Sequence, residues 1–101
     1  MTRRVIEVVE RGTRLSMDNH LLLLTLTDGG GHRIPVTDIE CLILGTSAVS
    51  VTGALLAELA EAGVMVIISN SKCLPVAMQL PLSAHYLQNE RFAGGSAVAV
   101  I

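Results

Sequence analysis

Between Thr13 and Leu26 the chain reads TRLSMDNHLLLLTL, a half-alternating polar segment that passes through Asp18-Asn19 into an almost unbroken aliphatic run. Asn tolerates positive φ and Asp hydrogen-bonds its own backbone, so Asp-Asn between apolar segments predicts a hairpin turn. Leucines at consecutive positions imply that the second arm is a strand covered on both faces. A hairpin with one arm deep in a core therefore anchors any fold this chain can adopt.

The remaining pattern is mostly strand. Arg4 to Val9 is short and β-branched, and predicts a first strand before Arg11-Gly12. Asp28-Gly29-Gly30-Gly31 is a turn between strands; no helix pattern or Lys-Ser/Thr pair follows, so it is not a phosphate cradle. His32 to Val36 reads as a short strand in which Pro35 argues for an edge or a break in pairing, and Ile39 to Leu44 as a covered one. One helix is expected, GALLAELAEA, with Thr52 as N-cap and Gly63 just past its end. Leu55, Leu56 and Leu59 share its apolar face, and Val51 stands where a staple to Leu56 would sit. VMVIIS and CLPVAMQL then supply two more strands. With so few helices, the expected class is mainly β (α+β): an antiparallel β-sandwich with one inserted amphipathic helix.

Size and composition narrow the functional classes. A chain of 101 residues fits one small domain with a modest core. Its net charge of -2 lacks the strongly basic footprint of an autonomous nucleic-acid binder, so DNA contacts would come from local clusters. Tyr86 and Phe92 are the only aromatics, too few for a base-stacking platform. No CxxC pair joins Cys41 and Cys73, the start MTRRVIEVVE is too charged for a secretory leader, and no run of about twenty apolar residues could span a membrane. These features lead to the expectation of a reduced, cytoplasmic protein.

Four stretches in order, RLSMDNHLLLL (Arg14 to Leu24), IPVTDIECLIL (Ile34 to Leu44), GALLAELAEAGVMVIISN (Gly53 to Asn70) and LPVAMQLPLSAHYLQNERF (Leu74 to Phe92), resemble the N-terminal domain of the CRISPR-associated integrase family often called Cas-one. The likeness covers nearly the whole chain up to Phe92 and is nearest to the branch that accompanies type II systems. It implies a β-sandwich domain joined to a larger helical catalytic domain, homodimer formation, a second small CRISPR adaptation protein, and DNA insertion into the repeat array. It also implies that a divalent metal such as Mg or Mn serves the full-length family from the helical domain, which this chain is expected to lack. On that reading residues 1–82 form the sandwich domain, 83–93 begin a hinge, and 94–101 are a short atypical tail.

The residues themselves point the same way on metal chemistry. Metal-assisted phosphoryl transfer needs several hard oxygen ligands brought together, and the nine acids are scattered singly. No metal site, resident cofactor or catalytic residue is expected here, and the chain alone is expected to be inactive. His20, His32 and His85 match no metal-binding spacing and read as surface or satisfied histidines. A thiol enzyme using Cys73 lacks any activating motif. Arg11 and Arg14 flank the loop between the first strand and the hairpin, with Arg3 and Arg4 just before, and guanidinium groups hold phosphate bidentately. These four are the expected DNA-binding residues. In relatives this loop approaches the fork of the captured DNA, where some carry a ring; Arg11 stands here instead. Lys72 and Arg91 are weaker candidates.

The expected function is a non-catalytic scaffold that dimerises and positions DNA ends for spacer integration. The alternative is a stand-alone β-sandwich interaction module, derived from that domain and without a DNA role.

Overall fold

The computed structural model describes residues 3–82 and 97–101. Among the described residues nine strands and one α-helix follow in order: β1 (Arg4–Val8), β2 (Arg14–Asp18), β3 (Leu21–Thr25), β4 (Gly31–Pro35), β5 (Ile39–Leu44), β6 (Ser50–Val51), α1 (Gly53–Glu61), β7 (Met65–Ser69), β8 (Pro75–Gln79) and β9 (Ala97–Val100). They build a five-stranded sheet, ordered β8-β7-β5-β1-β9, and a four-stranded sheet, ordered β4-β3-β2-β6. Ile6, Leu42 and Val66 of the larger sheet, Leu15, Leu22 and Leu24 of the smaller, and Leu55 and Leu59 of α1 meet in one buried apolar cluster. This is the expected α+β class, with two layers and one helix.

Strand polarity corrects the antiparallel expectation. Among the described residues four pairings are parallel, β1 with β5, β1 with β9, β5 with β7 and β2 with β6, against three antiparallel ones. Parallel neighbours need a crossover of a dozen or more residues. One crossover runs through α1, between β5 and β7. Another, between β1 and β5, runs through the β2–β3–β4 meander itself, so a sheet takes the place that a helix fills in a βαβ unit.

The hairpin forms, one residue later than the sequence suggests. Asn19 and His20 carry the positive φ values, 51° and 64°, that a two-residue type I′ turn requires, and Asp18 ends β2 instead of turning. Leu22 and Leu24 are buried, whereas Leu21 and Leu23 are half-buried. β3 is therefore covered on one face, because the smaller sheet forms an outer layer of the sandwich among the described residues.

Local chemistry explains the other elements. Thr52 Oγ1 accepts a hydrogen bond from the Leu55 amide at 3.2 Å, and Gly63 takes φ 80° past the helix end, so both caps stand where the sequence places them. Leu55 and Leu59 are fully buried; Leu56 sits at the margin of the core with Val51. Pro35 and Pro75 lie on edge strands, where a missing N–H breaks no ladder. The closing apolar segment forms β9 beside β1, and Ile101 exchanges hydrogen bonds of 2.7 Å with Val9 and Glu7. The expected hinge at 83–93 lies outside the described residues, as do His85 and Arg91.

Candidate nucleic-acid interface

The loop from Glu10 to Thr13 joins the two sheets and is held at three points. The buried Thr13 hydroxyl donates to the Glu10 carbonyl at 2.7 Å, the Gly12 amide donates to the Ala48 carbonyl at 2.6 Å, and the Thr13 carbonyl accepts from the Ser50 amide at 3.1 Å. Gly12 needs φ 86°, and a Cβ there would lie 2.5 Å from Thr27 Cγ2. A side chain at this position meets both a disfavoured backbone and a filled space. The loop is thus a fixed platform, and Arg11 stands exposed on it.

Arg14 opens β2 on the exposed face of the smaller sheet. It shares a surface depression of about 360 Å³ with Gly12, Thr25, Thr27 and Gly29. The neighbouring depression, about 370 Å³, lies between Leu23, the Gly29–Gly31 turn, His32 and Arg33. Two depressions thus border the same end of the sheet, with the glycine turn shared between them. Asp28 Oδ1 accepts from the Gly30 amide at 2.8 Å, which turns that carboxylate onto its own loop.

The four arginines singled out from sequence do not stay together. Arg3 and Arg4 precede or begin β1, whereas Arg11 follows its far end, a separation of about 15 Å along an extended strand. Arg3 is half-buried, with its Nη1 shielded from solvent, and Arg4 is exposed. The structure therefore gathers Arg11 and Arg14 at one end of the molecule and leaves Arg3 and Arg4 at the other end of the strand. Arg33, absent from that set, joins Arg14 on the smaller sheet. Its signal in the sequence was its alternation with the inward Ile34, readable only once β4 has a register.

Other polar groups have different surroundings. His20 Nδ1 lies 2.7 Å from Glu58 Oε2, tying the hairpin turn to α1, and this contact raises the imidazole pKa. Burial pushes the Cys41 thiol up to about 11, with Glu40 adding to the shift, so it is a core thiol and not a nucleophile at neutral pH. Cys73 is exposed, at φ 62° in the β7–β8 turn. Among the described residues no three His, Cys, Asp or Glu side chains converge to hold a metal ion, so the donor set does not fit a divalent cation. No helix there is long and apolar enough to cross a membrane.

Fold and rim together define a two-sheet α+β domain that presents fixed cations at one end. No family model matches the chain. It is 28% identical over 81 residues to the CRISPR-associated endonuclease Cas1 of Neisseria meningitidis serogroup C, a match covering 80% of this chain and 26% of that protein. Among solved structures, TtCas1 in complex with DNA superimposes with a TM-score of 0.62 at 22% identity, over 74% of this chain and 28% of that one. A partial Cas6–RT–Cas1–Cas2 complex gives a TM-score of 0.69 at 15% identity, over 82% of this chain and 24% of the other. Sequence match and fold agree: both likenesses are to Cas1 proteins and run over most of this chain, in the direction that the four sequence stretches implied. It spans about a quarter of the length of the relatives it matches.

Proposed function

We propose that this domain serves a CRISPR adaptation integrase as a scaffold, holding DNA ends against an active site supplied elsewhere and pairing with a second copy of itself. The observation that carries the reading is the fixed rim: Arg11 on a loop pinned by Thr13 and Gly12, and Arg14 on the strand that follows. Preorganised guanidinium groups bind phosphate with little ordering cost and read no sequence. A Cas1 relative of this fold has been captured on DNA and another in a complex with Cas2, which supports DNA and a second adaptation protein as partners here. The chemistry that a divalent metal would supply has no ligand set on the described residues, and no step through it is derived.

Self-association has separate support. Ile68, Leu74, Val76, Met78, Leu80 and Leu82 are all exposed, and they concentrate at β8, the edge of the larger sheet. An apolar edge strand with free backbone groups is suited to pairing with another copy. The same edge favours the second reading, a protein-interaction module with no DNA role. Binding of a forked duplex, followed by fluorescence anisotropy, separates the two. Arg11→Ala with Arg14→Ala is expected to weaken binding without changing sequence preference; binding untouched by the double substitution would remove the rim from the DNA path and leave the interaction module. Light scattering across a dilution series tests the dimer, which is expected to persist when residues 94–101 are deleted.

A further inference from the structure

Strand register brings a third cation onto the same surface. Arg14 lies opposite Thr25, and Arg33 lies opposite Leu23, so β3 runs between the two arginines. Residues paired across antiparallel strands point to one face, and i and i+2 share it. Leu15, Leu22, Leu24 and Ile34 are buried toward the core, which fixes Arg14 and Arg33 on the outer side. Both are exposed. Two strand spacings and a two-residue offset put their Cα atoms about 12 Å apart. At that distance two flexible guanidinium groups can reach separate phosphates of the same strand of a duplex.

The rest of the face suits a backbone and not bases. Between the arginines stand Leu23 and Thr25, and the Gly29–Gly31 turn borders both depressions without a side chain to obstruct an incoming strand. β2, β3 and β4 carry no Phe, Tyr or Trp for stacking, and the imidazole on them, His32, pairs with the inward Leu24 and so alternates away from the face of Arg33. Asp18, the acidic residue of this face, lies at the hairpin end, opposite Leu21 and away from the Arg14 end.

We infer that Arg33 and Arg14 form a two-point clamp on the outer face of the smaller sheet, gripping one sugar–phosphate strand of DNA that leads to Arg11. The inference rests on the DNA-positioning reading above and extends it by naming Arg33, the face and the ligand atoms, namely phosphate oxygens. Arg33 is a binding residue here, with no role in sequence choice.

Salt titration of the full chain on a forked duplex, from about 50 to about 200 mM, counts the contacts, because each phosphate neutralised steepens the log–log slope by about 0.7 to 0.9. Arg33→Ala is expected to flatten the slope by one such contact and Arg33→Lys to restore it, while the thermal midpoint stays put. Lys72→Ala, in the β7–β8 turn of the other sheet, is expected to leave the slope unchanged. If Arg11→Ala with Arg14→Ala weakens binding but Arg33→Ala does not, the clamp is wrong and the scaffold stands. If Lys72→Ala flattens the slope as much as Arg33→Ala, attraction is diffuse and the clamp again fails. If neither the double substitution nor Arg33→Ala has an effect, or the chain binds no DNA, both readings fall.

Discussion

The two sheets of this small domain solve different problems with similar residues. The larger one is apolar on both faces: Ile6, Leu42 and Val66 point to the shared core, while Val5, Cys41 and Met65 form a second buried cluster on its other side. The smaller one buries Leu15, Leu22 and Leu24 and turns arginine, serine and threonine outward. Parallel strands covered on two faces are the expected consequence of crossover connections, whereas an antiparallel meander tolerates water on one side. The lesson is a division of labour: one sheet supplies cohesion and an apolar edge, the other a polar face with fixed cations.

Substitutions on the two outer faces test that division most severely. Met65→Asp puts a charge into the buried second cluster of the larger sheet and is expected to cost about 3 to 5 kcal/mol, enough to unfold a domain of this size. Leu23→Asp on the outer face of the smaller sheet should cost about 1 kcal/mol or less, because its site is already half-wet. Denaturant titration of the pair decides the matter; equal losses would abolish the distinction. Leu59→Asp, between the layers, should match Met65→Asp.

A smaller effect is expected at the junction of the sheets. Gly12→Ala meets both φ 86° and the Thr27 methyl, and should cost about 1 to 3 kcal/mol. It should also weaken DNA binding at temperatures where the variant is folded, since Arg11 rides on this loop. Met78→Lys on β8 should leave the unfolding midpoint nearly unchanged and shift light scattering toward monomer mass.

The smallest effect concerns pH. His20 has a folded-state pKa above its ordinary value, owing to the hydrogen bond and charge of Glu58. Its contribution is therefore complete below about 6.5, the unfolded pKa, and fades as pH rises through the higher folded value. The contact is exposed, so the amplitude is minor; His20→Gln should remove this pH dependence without altering the unfolding midpoint above the window. An unchanged profile would show that Glu58 does not hold the turn.

What the sequence made legible follows from the range of the forces involved. Thr52, Gly63 and the helical spacing of Leu55 and Leu59 act within a turn or two, and α1 stands where they place it. β5 likewise has the expected bounds, because a run of covered residues is its own signature. Polarity was not legible: β1 finds its neighbour only across the meander, and the local pattern of Arg4 to Val8 is the same for either direction. The turn shifted to Asn19-His20 because two-residue register, not Asp18, decides which residues take positive φ. For the rim, Arg11 and Arg14 were visible as a cluster, yet Arg3 and Arg4 left it and Arg33 entered it. Those changes are matters of strand length and pairing, which adjacency in a string does not encode.

The placement of β1 has a consequence in time. It is made before either of its neighbours, and both come much later: Val5 pairs with Cys41 on one side and with Val98 on the other. A nascent chain therefore exposes an apolar strand with both edges open until β5 emerges, and with one edge open until β9 emerges. Non-local parallel pairing is slow and prone to aggregation for this reason. The charged flanks of β1, Arg3 and Arg4 on one side and Glu10 and Arg11 on the other, sit where they would keep that waiting strand in solution.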